Sequence, residues 1–466
     1  MVTRLRVQGF KNLSDLTVRF GPFTCIAGLN AAGKSNLFDA MRFLHLLAQK
    51  PIMEAVSSLR DVRGRAPAPE ELFTRFGEYR ASEMRFTADL IVERSVQDEF
   101  GVEAKAAIST LRYDVGFVLG EGGILELAHE SLSPIRLSDA RRTVAFTHSK
   151  EFEKSVVHGR RVGNFVSTSK EEHGATITVH QEGHGGRQLP APRSTRTVVG
   201  GLANSDFPTI LAANREMTAW RTLMLEPSAM RSPSLYRDPR DIDSRGANVP
   251  NAIFRLMKQE GRKDQVRAEI ANRLSRLVEN VADVKVADDE RFETRTLQLR
   301  GRDGVYHPAH ALSDGTLRFL VLTVLELDPE ARGLICLEEP ENGIHPERIE
   351  AIVQLLRDVA VDPDLGVNED NPLRQVVINT HSPVVIRNVP TDDLIYLEQE
   401  QVTLGGSTGS VATAFVPPNT WRASAGEENE ESARLVPGQL MSYLGQGRPN
   451  GDKQYVFDWV ESALQP

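Results

Sequence analysis

"FTCIAGLNAAGKSNLF", residues 23–38, joins an almost unbroken apolar run to a glycine-containing turn and an amphipathic stretch. The run predicts a strand buried on both faces of a parallel sheet. From about Lys34 onward, Leu37, Met41, Leu44 and Ala48 share one helical face. Between them, Gly28–Ser35 matches G-x-x-x-x-G-K-[ST] in the strand–turn–helix context that the pattern requires. The glycines let successive backbone N–H groups turn inward around phosphate oxygens, and the helix start adds partial positive charge. Lys34 is placed to reach the β- and γ-phosphates of a nucleoside triphosphate, and the Ser35 hydroxyl to ligate Mg2+. Gly28, Asn30, Gly33, Lys34, Ser35 and Asn36 are therefore the candidate nucleotide-binding residues.

The chain has 466 residues, of which 40% are hydrophobic and 26% charged. That length supports a large core and more than one lobe. A formal charge of -9 gives no global reason to expect nucleic acid, although an average can hide a local basic patch. The longest apolar run, in 317–327, is too short to cross a bilayer, and the opening residues show no signal-peptide pattern. A cytoplasmic location without membrane partners is expected. Only Cys25 and Cys336 are present, both in strand-like apolar runs, and they read as reduced core thiols.

"LRVQGF" (5–10) and "DLTVRF" (15–20) read as strands ahead of the phosphate loop, and residues 63–71 break the pattern. From about 80 to 200 the alternation has period two, as in antiparallel strands joined by turns. Residues 205–280 are helical in pattern, most clearly in "VPNAIFRLMKQ" and "VRAEIANRLSRLVENV". The strand pair "DVKVADD" and "TRTLQLRG" follows. A helix (316–327), the strand "GLICL" (333–337), a helix over 346–359 and the strand "QVVIN" (375–379) alternate as in a parallel α/β sheet. Beyond 400 come a GGSTGS turn, an acidic "GEENEES" and a helix-like "KQYVFDWVESAL". No sustained heptad appears, so no long coiled coil is expected. The expected fold is an α/β core split between 1–60 and 305–400. An inserted β-rich and helical lobe spans 61–304, and 401–466 is a variable C-terminal segment.

Three later stretches carry chemistry. "LICLEEPENGIHP" (334–346) places Glu338 and Glu339 at the carboxyl end of a buried strand. Beside a phosphate loop, the first carboxylate suits a magnesium ion held through water, and the second suits proton acceptance from an attacking water. Thr380-His381-Ser382 ends the strand expected next to the carboxylate strand, which makes His381 a candidate γ-phosphate sensor. In "ALSDGTLRFL" (311–320), Ser313 and the N–H groups of Asp314, Gly315 and Thr316 form a helix start. It is either an ordinary cap or a second anion site.

Together these motifs resemble the ATP-binding-cassette ATPases of the SMC/RecF/OLD group, most closely stand-alone bacterial ATPases with a split head. The resemblance covers about 1–50 and 305–390. It implies a P-loop NTPase head in which Gly28–Ser35 is the Walker A loop and Glu338-Glu339 the Walker B end. Glu341–His345 falls on the D-loop, His381 on the switch histidine and Leu312–Thr316 on the signature motif. By that resemblance Ser313, Asp314 and Gly315 meet the γ-phosphate of ATP held by another protomer. A homodimer or higher oligomer with ATP and Mg2+ follows. Lys11 and Asn12 fall where an early strand turn approaches the nucleotide base. Glu338 stands where aspartate is usual, Asp314 and Thr316 replace glycine and glutamine, and Gln97 and Gln181 are the two candidates for the glutamine loop.

The function expected from the resemblance is an ATP-driven switch on a separately encoded effector, such as a Toprim-type nuclease, in anti-phage defence. The stretch after 400 is too short to add a stable Toprim domain. The alternative is a RecF-like DNA clamp in repair. Arg215, Arg221, Arg231, Arg237, Arg240 and Arg245 would then contact phosphates, although Asp238, Asp241 and Asp243 interleave with them. DNA stays open as a partner. A transporter ATPase is disfavoured by the long insertion and the lack of a short helical lid.

Overall fold

The computed structural model describes residues 1–59, 66–136, 139, 143–171, 174–180, 187–258, 263–279, 281–425 and 433–434. Gln181, the acidic run 426–432 and the helix-like 453–464 lie outside the described residues.

Strands β1 (Val2–Phe10) and β2 (Leu13–Arg19) form a hairpin, and β1 pairs on its other side with Glu83–Ile91. They begin an eight-stranded antiparallel sheet that continues through Thr110–Leu119 and Leu125–Pro134 to Arg187–Pro190. Strand β3 (Phe23–Gly28) belongs to a different, seven-stranded sheet. Helix α1 (Lys34–Gln49) lies between the two, its apolar side chains shared by one core. Phe43 of α1 meets Phe86 and Phe117 of the antiparallel sheet at ring-centroid distances of 5.6 Å each.

The seven-stranded sheet brings together β4 (Arg221–Leu223), β5 (Gly333–Glu338), β6 (Arg374–Thr380), β3, β7 (Leu394–Leu404) and β8 (Ser407–Val416), in that order, with Ala433–Arg434 outermost. β4 through β7 are parallel, and β8 returns antiparallel to β7. The strands β3, β5 and β6 are buried along nearly their whole length, and their central residues are mostly apolar because both faces are covered. Ile26 and Cys336 face the core around α1. Cys25, Ala27, Ile335 and Leu337 face a second core built with α2 (Pro227–Arg231), α3 (Asp314–Leu327) and α4 (Ile349–Val359). The two cysteines are therefore on opposite faces, free and buried, and burial pushes both thiols up. A small sheet around Val281–Asp289 and Thr294–Gly301, with the helices Val249–Lys258 and Lys263–Leu277, contributes side chains to this second core.

The strand pairings run across 60/61, 304/305 and 400/401, the boundaries expected from sequence. β1 and β2 belong to the antiparallel sheet, because their alternation finds its partner at Glu83–Ile91 rather than beside β3. β4, from within the expected insertion, completes the edge of the central sheet. β7 and β8 run through 400/401 as one hairpin. The longest helix among the described residues is α1, at 16 residues, which leaves the described chain without a long coiled coil. None of the described helices is long and apolar enough to cross a membrane.

Candidate active site

Parallel register brings the ends of β5, β6 and β3 to one edge: Glu338 pairs with Asn379, and Thr380 with Ala27. Open parallel sheets bind ligands at that edge. Gly28 there has φ +150°, and a Cβ would lie 2.3 Å from the Leu397 carbonyl oxygen. Gly33 has φ +103°, and its Cβ would lie 2.7 Å from Ala412 Cβ. Only glycine fits under the β7–β8 hairpin at these two points. Between them Ala31 takes φ 67°, and Gln399 Nε2 donates to its carbonyl at 2.7 Å. Gln399 escaped the sequence reading, since its partner lies far away along the chain.

Helix α1 starts with no side-chain cap and no acid in its first turn. Its first N–H groups are thus available to an anion. Lys34 is 7% exposed, and its Nζ donates to the carbonyls of Gly28 at 2.6 Å and Leu29 at 2.8 Å. Burial holds its pKa below the usual lysine value, against the opposing charges of Glu339 and Glu341. Asn30 and Ser35 are exposed on the loop. Asn36 donates to Asn12 Oδ1 at 2.7 Å, and Lys11 pairs with Asp39 at 2.6 Å. Lys11 and Asn12 thus bind the β1–β2 turn to α1, with the Lys11 ammonium already engaged.

Glu338 closes β5, and Glu339 follows in left-handed backbone, φ 44°. That conformation costs a non-glycine residue energy, and Asn379 holds it by accepting the Glu339 N–H at both its carbonyl (3.0 Å) and side-chain (3.1 Å) oxygens. The Glu339 carboxylate is held in turn. Its Oε1 lies 2.7 Å from His381 Nδ1, and its Oε2 accepts from Asn342 at 2.8 Å. Glu341 accepts from the Thr380 hydroxyl at 2.5 Å, and burial raises its carboxyl above the usual range. The resemblance put Glu341 on the D-loop, and its tie to the histidine strand emerged from the fold.

The donor set fits a magnesium triphosphate. Ser35 and Glu338 offer the hard oxygen ligands that Mg2+ takes. Glu341 Oε2 is buried and has no partner among the described residues. Among the described residues no group of three His, Cys, Asp or Glu is arranged to hold a metal alone. Phosphate and water oxygens would therefore complete the shell.

The LSDGT stretch is built differently. Ser313 Oγ accepts the Thr316 N–H at 3.2 Å, and Asp314 meets Arg231 Nη2 at 2.5 Å. A Cβ on Gly315 would lie 3.3 Å from the Gly343 carbonyl oxygen, so this helix start packs on the turn that follows Glu339. The described contacts of Ser313, Asp314 and Gly315 run to Thr316, Arg231 and the turn at Gly343, and none reaches the phosphate loop of the same chain. Gln97 lies in a separate hairpin, where Arg215 donates to its carbonyl at 3.0 Å. The strand beside β5 is β4, and the chain leaving it reaches Glu226 and then α2. Arg231 and Arg215 are thus engaged within the chain, and Arg245 lies 3.9 Å from Asp243.

A family model described as "AAA domain, putative AbiEii toxin, Type IV TA system" matches residues 23–387. The chain belongs to this AAA-domain family. No curated protein matches it by sequence. Among solved structures it is similar to an Smc head bound to the C-winged helix domain of ScpA. There the identity is 11% and the TM-score 0.46, over 89% of this chain and 98% of that one. It is also similar to an Smc head with an extended coiled coil from Pyrococcus furiosus, bound to the C-terminal domain of ScpA (10%, TM-score 0.43, 89% and 96%). A third is the SMC head domain from Thermotoga maritima (13%, TM-score 0.36, 88% and 98%). These likenesses are distant, and the fold rests on the strand order above. The AAA-domain match begins at β3 and ends just past His381, so it spans the phosphate loop, LSDGT, both carboxylates and the histidine.

Proposed function

We propose that this AAA-domain chain binds ATP on Gly28–Asn36 and hydrolyses it with Mg2+. Two copies close around the nucleotide and switch a separately encoded effector, a nuclease, in prokaryotic defence. The observation that carries the reading is the meeting of Lys34, Glu338, Glu339 and His381 at one sheet edge. The family's description as a toxin of a type IV toxin–antitoxin system supports the defence setting.

In this reading Ser35 and Glu338 hold the magnesium ion, which when bound neutralises phosphate charge. Lys34 exchanges the carbonyls of Gly28 and Leu29 for charged phosphate oxygens, a stronger pairing than with neutral acceptors. Glu339 takes the proton of the attacking water, its carboxylate oriented by Asn342 and His381. His381 senses the γ-phosphate. The start of α3 receives the nucleotide of the second copy, which accords with its described contacts, none of which reaches the phosphate loop of its own chain.

Glu339→Gln tests this reading. It should leave ATP affinity unchanged, lower turnover by roughly 10²–10⁴-fold and accumulate an ATP-bound dimer in light scattering. Unchanged turnover would remove Glu339 as the base. The effector is tested by co-purification with the neighbouring gene product and a nuclease assay with and without ATP. The chain alone should not cut DNA, and cutting that survives repurification would place the nuclease within it.

A further inference from the structure

The start of α3 carries a charge that suits its own helix and opposes its proposed task. An acid in the first turn stabilises a helix through the dipole. Asp314 sits where the phosphate of a second copy's ATP would arrive, and two anions there repel. The fold answers with Arg231, whose Nη2 lies 2.5 Å from Asp314 Oδ1 and also donates to the Leu312 carbonyl at 2.8 Å. One guanidinium thus joins both sides of the Leu312–Asp314 turn. The pair is half in solvent, with side-chain exposures of 25% for Arg231 and 44% for Asp314.

A second arginine feels the Asp314 charge but is bound elsewhere. Arg318, one turn further along α3, is 8% exposed and gives its Nη2 to the Leu225 carbonyl at 3.0 Å. It braces α3 against the chain leaving β4. Arg231 ends the five-residue α2, which starts from that same chain with Pro227 at its first position. Its backbone is therefore anchored at the carboxyl edge of the central sheet while its head reaches LSDGT.

We propose that Arg231 is a positioning residue for the ATP-driven closure of two copies. It cancels Asp314 and holds the Leu312–Asp314 turn so that the start of α3 accepts phosphate from the partner's nucleotide. This rests on the ATP-sandwich reading above. Asp314 replaces the glycine that the signature pattern carries, and Arg231 supplies the charge that makes the replacement tolerable.

The test uses the full chain and reads ATP binding and ATP-dependent dimerisation separately. Arg231→Ala should bind a fluorescent ATP analogue as the parent does, because Lys34 is untouched. Its ATP-dependent dimerisation should weaken by about 10-fold or more, the scale of a close charge pair at an interface. Adding Asp314→Gly to Arg231→Ala should restore most of that loss. A plain structural brace would not be rescued this way, so failure of rescue overturns the proposal, as does normal dimerisation of Arg231→Ala. Should Arg231→Ala fail to fold, Arg231→Lys and Arg231→Gln decide: the lysine should dimerise and the glutamine should not, and equal behaviour overturns the proposal. Ser313→Arg separates the two levels. If it dimerises normally, the sandwich reading itself falls. If it is blocked while Arg231→Ala dimerises, only the role of Arg231 falls.

Discussion

Helices α1 and α3 begin with the same ingredients, a glycine and a hydroxyl residue after an extended segment, yet their starts are built for different moments. The start of α1 has no side-chain cap, no acid in its first turn and a lysine folded back on neutral carbonyls. Its helix N–H groups need no cap removed to meet an anion, and Lys34 has only neutral carbonyls to exchange. The start of α3 is already satisfied: Ser313 caps Thr316, and Asp314 is paired with Arg231. It has its own internal anion and its own cation. The difference teaches an order of events. On the proposed function, the first site would fill in the single chain, and the second would become a phosphate surface only when another chain brings one.

The largest effect expected from breaking the open site is on binding itself. Lys34→Ala deletes the one cation within the loop, and a charge-assisted bond of about 2–3 kcal/mol corresponds to a loss of roughly 100-fold in ATP affinity. Isothermal titration at low protein concentration measures it. ATP affinity equal to that of the parent would mean that Gly28–Ser35 is only a turn.

The next effect separates the two starts. If each site joins Lys34 of one chain to Ser313 of the other, Lys34→Ala and Ser313→Arg are each inactive alone. A mixed dimer collects both defects in one site and leaves the other intact. Random exchange makes half of the dimers mixed, so about a quarter of parental hydrolysis returns when sites act independently. Exchange shown by differential tagging, with no recovery and with Ser313→Arg alone fully active, would leave α3 with an ordinary cap.

The two starts also differ in how far sequence alone exposes them. The open one is legible because its requirements are local: an apolar strand covered on both faces, two glycines at fixed spacing and an amphipathic helix. The carboxylate and histidine strands are legible for the same reason, and β5 and β6 pair as their apolar runs predict. What closes the second start is not local. Arg231 lies 83 positions before Asp314, and the strand that anchors α2 is three residues long, too short to show a period. The sheet membership of β1 and β2 is hidden likewise, since alternation reveals a strand but not its partner. Pairings between distant segments are set by the packed fold, and nothing in either segment names the other.

The smallest effect discriminates most sharply. Ser313→Gly should cost only a few tenths of a kcal/mol in helix capping, because glycine is itself an acceptable N-cap. The melting temperature should therefore barely move, and ATP binding to the single chain should not move at all. In the proposed dimer the same substitution also removes a hydroxyl from the partner's phosphate. An uncharged donor on a charged acceptor contributes about 1.5–3 kcal/mol, so ATP-dependent dimerisation should fall by roughly 10-fold or more. Ser313→Asn adds a check, since asparagine caps as well as serine yet places a bulkier amide at the contact. If both variants melt and dimerise like the parent, the start of α3 is complete within its own chain. If both melt normally and dimerise poorly, Ser313 is a cap that becomes a ligand contact only when the second chain arrives.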